Sequence, residues 1–315
     1  MKYGFGVDLG GTTVKIAFFD ETGMMLDKWE IPTVTANKGA QILPDIADAI
    51  KNYIADKNIP ASQLIGIGIG VPGPVDDAGN VNRCTNLGWG VFNIHKALGT
   101  LTGLPVKAGN DANMAALGEA WKGGGTGCEN MVFATFGTGV GGGIVVNGKP
   151  INGIHGAAGE IGHLTVERDE TEMCTCGKYG CVEQYCSATG IVRLAKKRLA
   201  SDETASMLRF SEPLTCKDVF DAGNAGDPLA LEVLEQVYMY MGQFLASVCC
   251  VTDPEMVVLG GGVSKAGKPL LEGAKRYFDK YIFHASASIR FALASLGNDA
   301  GAYGAFKLIL DNQVI

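Results

Sequence analysis

The sequence predicts a duplicated α/β fold in two lobes, and three observations carry that expectation. A chain of 315 residues is too long for one small domain, so two lobes of ordinary size are expected. Apolar residues make up 47% against 19% charged, enough to fill two sizeable cores and too many for a disordered chain. One pattern also occurs twice, about a lobe apart: an apolar strand, a glycine hairpin, a second strand and a turn.

The first copy has strands at 3–7 and 14–19 around Asp8-Leu9-Gly10-Gly11-Thr12-Thr13, with a turn at 20–23. An amphipathic helix over 41–56 follows, with Ile42, Ile46, Ala49, Ile50 and Tyr53 at helical spacing. A strand of alternating apolar residues and glycines, 65–73, ends in a Pro-Gly turn. A strand at 105–108 leads to Gly109-Asn110-Asp111-Ala112-Asn113, and a helix covers 112–121. The glycine-rich stretch 123–127 reads as a flexible connection and a boundary. The second copy runs from a strand at 131–135 through the glycine loop 136–143 to a strand at 144–146 and an Asn-Gly turn. A long helix over 229–251 and a strand at 256–259 lead to Gly260-Gly261-Gly262. The final helix, 300–310, opens with small residues that suit close packing.

Composition excludes several functions. A net charge of −7 and a pI near 5.2, without any long basic run, argue against nucleic-acid binding. The first residues reach Asp8 and two glycines before an apolar run forms, unlike a secretory signal, and no eighteen-residue apolar run suits a membrane span. Nine cysteines without a secretory pattern point to a reduced, cytoplasmic protein with one metal cluster. The 45 glycines, clustered between apolar runs, fit a backbone that ligands approach closely.

Several motifs carry chemistry. The first hairpin presents Asp8, Gly10, Gly11, Thr12 and Thr13; glycines admit backbone N–H groups to phosphate oxygens, and hydroxyls add neutral hydrogen bonds. Asp8 suits a magnesium ion held through water, because hard cations prefer oxygen. A Gly-Gly pair between strands is also an ordinary tight turn, but its repetition at Thr138 and Gly139 favours two phosphate-facing loops. Gly260, Gly261 and Gly262 fit a third close approach, at the adenosine end of a nucleotide. None of these is a dinucleotide fingerprint or a Walker loop. Asp111 beside Asn110 at a helix start is either a cap or a general base held ionised by the helix terminus. His163 precedes Cys174, Cys176 and Cys181, and one imidazole with three thiolates matches the closed tetrahedral shell of a structural zinc. Cys186 is a rival fourth ligand, but five residues past Cys181 on a helix it points well around the cylinder. Glu160 and Glu183 flank this knot, placed to accept hydrogen bonds from a polyhydroxylated ligand. His155, Lys15, Arg83 and Lys107 read as surface groups.

Taken together, Asp8–Thr13, Val71-Pro72-Gly73-Pro74-Val75, Asn110–Asn113, the 137–143 loop, the 155–163 segment and Cys174–Glu183 resemble the ROK family (repressors, open reading frames, kinases). The resemblance covers essentially the whole chain, in order, and is strongest to the family's bacterial glucokinases. It implies an actin-like, hexokinase-type (ribonuclease H-like) fold with an active cleft between the lobes. On that basis 1–122 forms a small lobe, joined by the last helix at about 300–315, and 123–299 forms a larger lobe carrying the zinc knot. The implied activity is ATP- and Mg²⁺-dependent phosphorylation of a hexose hydroxyl, foremost glucose at C6. N-acetylmannosamine, fructose or allose are rival acceptors, and polyphosphate is a rival donor. Asp111 becomes the catalytic base, and Gly73, Asn86, Asn110, Glu160, His163 and Glu183 become sugar-site residues. His163, Cys174, Cys176 and Cys181 become zinc ligands. Asp8, Gly10 to Thr13, Thr138, Gly139 and Gly260 to Gly262 become the nucleotide site. A homodimer is implied as well. A sugar-sensing repressor of the same family is disfavoured, because Asp8 leaves no room for a preceding helix-turn-helix.

Overall fold

The repeat read from the sequence is a repeat of sheet topology. The computed structural model describes residues 1–312. Within it, β1 (Tyr3–Leu9), β2 (Thr13–Asp20), β3 (Met25–Pro32), β4 (Leu64–Val71) and β5 (Val106–Asn110) form a sheet of order β3-β2-β1-β4-β5. The strands β6 (Met131–Phe136), β7 (Val140–Val146), β8 (Lys149–Pro150), β9 (Met256–Gly260) and β10 (Arg290–Leu293) form a second, of order β8-β7-β6-β9-β10. In the first, β1 runs antiparallel to β2 and parallel to β4, and β5 is parallel to β4. The second repeats the scheme, with β9 parallel to both β6 and β10. A connection of only three residues between β6 and β7 permits an antiparallel pairing alone.

Contacts divide the chain into two units. The first comprises Met1–Glu129, Gly143–Gly159 and the chain from Ser295 onward; the second comprises Asn130–Gly142 and Glu160–Ala294. The boundary is therefore not linear. It falls inside β7, so 143–159 goes with the first unit rather than with the 123–299 segment. The last helix joins the first unit; the expected end of that helix beyond residue 312 lies outside the described residues.

In the first unit, α1 (Ile42–Asp56) buries Ile42, Ile46 and Ile50, the stripe that its periodicity predicts. Tyr53 of this helix stacks on Trp29 at 4.6 Å, within an aromatic group that includes Phe5 and Phe18. Trp29 lies on β3, a strand with alternating burial that the sequence reading passed over. The helix α2 (Ile94–Thr102) was passed over too; it is capped by Asn93, whose side chain accepts from Lys96 N–H. The helix α3 (Asp111–Lys122) follows β5 directly.

Many glycines have a different cause from the one the sequence suggested. The helix α8 (Ala300–Asp311) lies so close to the first sheet that a Cβ on Gly6 would sit 2.1 Å from Ala302 O, and one on Gly68 only 1.7 Å from Ala305 O. Gly118 and Gly304 let α3 and α8 touch backbone to backbone in the same way. On the apolar–glycine strand β4, Gly68 makes room for α8, Gly66 for the Pro105 carbonyl and Gly70 for Met114 of α3, so packing rather than ligand approach accounts for its glycines.

In the second unit, α4 (Ala188–Ser201), α5 (Cys216–Asn224), α6 (Pro228–Thr252) and α7 (Lys268–Tyr281) accompany the sheet. The long helix α6 was expected over 229–251. It starts with Pro228 in its first turn, where a missing N–H costs nothing, and Asp227 caps it by accepting from Ala230 N–H. Its buried Val233, Val237, Met241, Phe244 and Leu245 belong to the main core of this unit. Among the described residues no helix is long and apolar enough to cross a membrane.

Candidate functional site

The predicted residues form two groups, one in each unit. In the first unit, the end of β5 delivers Asn110 to the N-cap of α3, where its side chain accepts from Ala112 N–H (2.9 Å) and Asn113 N–H (3.1 Å). Capping therefore falls on Asn110. Asp111 is the first helical residue, half-buried, and its Oδ1 accepts from Ala112 N–H at 2.8 Å. The partial positive charge of the helix start favours its carboxylate form. Asn110 Nδ2 also donates to the Gly73 carbonyl at 3.2 Å, so two of the predicted sugar-side residues are tied to each other. Gly73 has φ of +149°, a conformation that favours glycine, on the turn after β4. Asn86 is exposed on the short loop after Cys84.

The hairpin between β1 and β2 closes through Gly10 N–H to Thr13 O at 3.0 Å. A Cβ added to Gly11 would meet nothing within 4 Å, so this side of the loop is open. Asp8 lies at its base. Burial pushes its carboxyl upward in pKa, and the Lys15 ammonium at 3.6 Å opposes the rise. Gly301, at the start of α8, is the residue that makes room for Asp8, since a Cβ there would lie 2.8 Å from its Cγ. Lys15, read from the sequence as a surface charge, thus belongs to this group. The signal available was its place on β2, across from Asp8 in the hairpin register.

In the second unit, the loop between β6 and β7 is held by Gly137 N–H to Gly139 O at 2.9 Å. Glu183 reaches into it: Oε2 accepts from Val140 N–H at 3.0 Å, and a Cβ on Gly139 would lie 2.2 Å from that oxygen. Its Oε1 accepts from Thr175 Oγ1 at 3.2 Å, in the cysteine turn. The carboxylate therefore bridges the glycine hairpin and the cysteine turn, a connection that sequence spacing does not report. A side chain at 139 would therefore displace the Glu183 carboxylate, whatever ligand approaches the loop. Gly260 and Gly261 are likewise required by packing on β6, where Cβ atoms would meet the Phe133 ring and Phe136 O; Gly262 alone of the three is open.

The cysteine turn brings together His163, Cys174, Cys176 and Cys181, whose ligand atoms all lie within 4.8 Å of one another. His163 Nδ1 is 3.8 Å from Cys174 Sγ, and Cys176 Sγ is 3.6 Å from Cys181 Sγ. A tetrahedral ion with bonds of about 2.3 Å to sulfur needs ligand separations of about 3.8 Å, so the donor set fits zinc in both chemistry and spacing. The Nδ1 edge of the imidazole faces the cluster. Cys186 is fully buried in the core near Val237 O, and it is not in the group. Glu160 is exposed on the turn just ahead of His163, whose N–H donates to the Glu160 carbonyl. Backbone bonds from Cys174 N–H to Lys178 O and from Gly177 N–H to Cys174 O shape the turn, and Lys178 Nζ donates to the His163 carbonyl.

Two further features were not read from the sequence. Thr138 borders a cavity of about 660 Å³ lined also by Thr189, Val192, Arg193, Lys196 and Lys197, and Thr189 Oγ1 donates to the Thr138 carbonyl. Glu172 lines it too, and Arg193 and Lys197 are ion-paired with Glu170 and Glu172, so much of the cationic charge on this wall is already balanced. Asn113 is fully buried, and its Nδ2 donates to Asn152 Oδ1 at 3.1 Å, fastening α3 to the segment that precedes Gly156.

The family model for the ROK family matches residues 4–312. A glucokinase of Halalkalibacterium halodurans is 45% identical over 98% of this chain and 95% of its own length. A glucokinase of Thermotoga maritima is 34% identical over 96% of each chain. Among solved structures, a ROK family glucokinase from Streptomyces griseus in complex with glucose and AMPPNP superposes with a TM-score of 0.75. It is 32% identical, and the match covers 97% of this chain and 98% of that one.

Proposed function

Because the chain belongs to the ROK family and has its actin-like, hexokinase-type fold, we propose that it is a glucokinase, transferring the terminal phosphoryl group of ATP to a glucose hydroxyl to form glucose 6-phosphate. Similarity to glucokinases over nearly the full chain carries this reading. The position of Asp111 supports it, because Asn110 supplies the helix cap and leaves Asp111 as a carboxylate in the first turn beside the Gly73 loop.

In this reading Asp111 accepts the proton of the attacking sugar hydroxyl. A carboxylate is a weak base, but a loose phosphoryl transition state asks for little proton transfer before the new bond forms. Asn110, Gly73 and Asn86 shape the sugar side of the first unit. Glu160 and His163 supply hydrogen-bond partners to sugar hydroxyls in the second. His163 turns Nδ1 toward Cys174 and leaves Nε2 for a sugar hydroxyl, a tautomer that a bound zinc would fix. His163, Cys174, Cys176 and Cys181 would hold that zinc, and with four protein ligands it would supply orientation rather than a reactive water. The two hairpins, with Gly11, Thr12, Thr13, Thr138 and Gly139, bind the nucleotide phosphates, and Gly262 marks the adenosine end. A Mg²⁺ ion accompanying ATP would be held near Asp8, whose oxygens suit a hard cation, and it would neutralise phosphate charge.

The test is a phosphorylation screen of the purified protein. Glucose 6-phosphate formed from glucose and ATP, with weaker turnover of N-acetylmannosamine, fructose and allose and none from polyphosphate alone, is the expected result. Preference for another sugar would retain the kinase and overturn the glucose assignment. No turnover of any hexose would overturn both.

A further inference from the structure

We propose that Cys84 is a positioning residue for the sugar side of the first unit, its thiol tying together the segments that carry Gly73, Asn86 and the Asn110–Asp111 pair. The proposal rests on the kinase reading above. Cys84 is buried, 2% exposed, and its thiol donates to the carbonyl of Pro72, the residue just before Gly73. A Cβ on Gly73 would meet Cys84 Cβ at 3.4 Å and Sγ at 3.6 Å, so the cysteine side chain is the wall against which that turn rests. The carbonyl of Gly73 in turn accepts from Asn110 Nδ2. On its other side, Cys84 exchanges backbone hydrogen bonds with Trp89: Cys84 N–H donates to Trp89 O at 3.2 Å and Trp89 N–H donates back at 3.0 Å. That pair closes the loop presenting Asn86, and Trp89 Nε1 anchors it to Gly39 O at 3.1 Å. One small side chain therefore joins the turn at Gly73, itself bonded to Asn110, to the loop that carries Asn86.

The thiol is suited to this task. Burial raises its pKa, and the nearby Asp111 charge adds to the rise, so Cys84 stays protonated and remains a donor. Its role is to hold neighbours in place; it does not attack substrate, and a buried protonated thiol is a poor nucleophile.

Cys84→Ala removes both the donor and the buried sulfur, and Cys84→Ser restores a donor at closer to the original volume. Glucose KM, ATP KM, kcat and thermal unfolding are measured on both, with glucose Kd by calorimetry in the absence of nucleotide. For Cys84→Ala we expect glucose KM and Kd to rise about tenfold, equivalent to about 1.4 kcal/mol. ATP KM and kcat should stay within about threefold, and Cys84→Ser should recover most of the glucose affinity. An unchanged glucose Kd in Cys84→Ala overturns the proposal. Equal losses in the serine and alanine variants also overturn it, because volume rather than the hydrogen bond would then be responsible. A wild type that binds glucose without phosphorylating it overturns the kinase reading alone, and the calorimetric comparison still decides the role of Cys84. A wild type that binds no glucose overturns both.

Discussion

Asp111→Asn separates two roles that are easily confused at a helix start. Asn110 already supplies the cap, with two backbone N–H groups on its Oδ1, and the variant leaves those bonds untouched. The bond that Asp111 Oδ1 accepts from Ala112 N–H is open to an asparagine oxygen as well. What the fold loses is a negative charge in the first turn, about 0.3–1 kcal/mol. What the chemistry loses is a general base, roughly 10²–10⁴ in rate, or about 3–5 kcal/mol of barrier. The second term exceeds the first several-fold, so the variant should unfold near the wild-type temperature, bind glucose almost normally and lose nearly all turnover. The assay is kcat from glucose 6-phosphate formation, with calorimetric glucose binding and thermal unfolding on the same preparation. Asn110→Ala is the mirror control: it should cost about 1 kcal/mol of stability through the lost cap. Retention of more than about a third of wild-type kcat in Asp111→Asn, well outside the general-base range, would refute the base assignment.

Three further outcomes are expected. Elemental analysis should find one zinc per chain in the wild type and in Cys186→Ser but none in Cys176→Ser, since a serine hydroxyl is a poor, hard substitute for a thiolate; zinc lost from Cys186→Ser would move the ligand shell. Gly139→Ala should cost about 1.5–3 kcal/mol by driving the Glu183 carboxylate off Val140 N–H, and should cost almost nothing in a Glu183→Ala background; additive effects in denaturant unfolding would refute this coupling. Burial pushes the Asp227 carboxyl up in pKa, but hydrogen bonds from Ala230 N–H, Met207 N–H and Ser206 Oγ outweigh it and hold the value below the ordinary one. Its stabilisation is therefore present above the unfolded value of about 3.9 and lost as pH falls through the folded value. Asp227→Asn should destabilise the protein by about 1 kcal/mol at neutral pH, with the gap closing in acid; a gap independent of pH would refute the argument.

Some of this protein was legible because its signals are local. Apolar runs on either side of a repeated glycine hairpin marked β1, β2, β6 and β7. The stripe Ile42, Ile46, Ile50 marked α1, and short spacing between cysteines marked the metal turn. Polar or charged surface helices left weaker traces: α2, α4, α5 and α7 went unread, as did β3 with its alternate exposed charges. The glycine count misled where it was attributed to ligands, because Gly6, Gly68, Gly118 and Gly304 serve helix packing. Nor does cysteine spacing report that Cys174, Gly177 and Lys178 bond the turn through the backbone and to His163.

By itself the sequence determined the duplicated sheets, the grouping of the four residues that could hold a metal and the placing of Asn110 and Asp111 at a helix start. Each depends on residues near one another in the chain, where periodicity and spacing dictate geometry. Only the tertiary structure decided which of the pair is the cap, that Lys15 sits against Asp8, that Glu183 joins the glycine hairpin to the cysteine turn, and that Cys84 fastens Pro72 to the Asn86 loop. Nor does any local pattern say that α8 belongs with residues nearly the whole chain away. The physical reason is the same in each case: these contacts are made by side chains and carbonyls from segments far apart in sequence. Their meeting follows from the packing of whole layers, where one glycine or one carboxylate is chosen by a neighbour that no window along the chain contains.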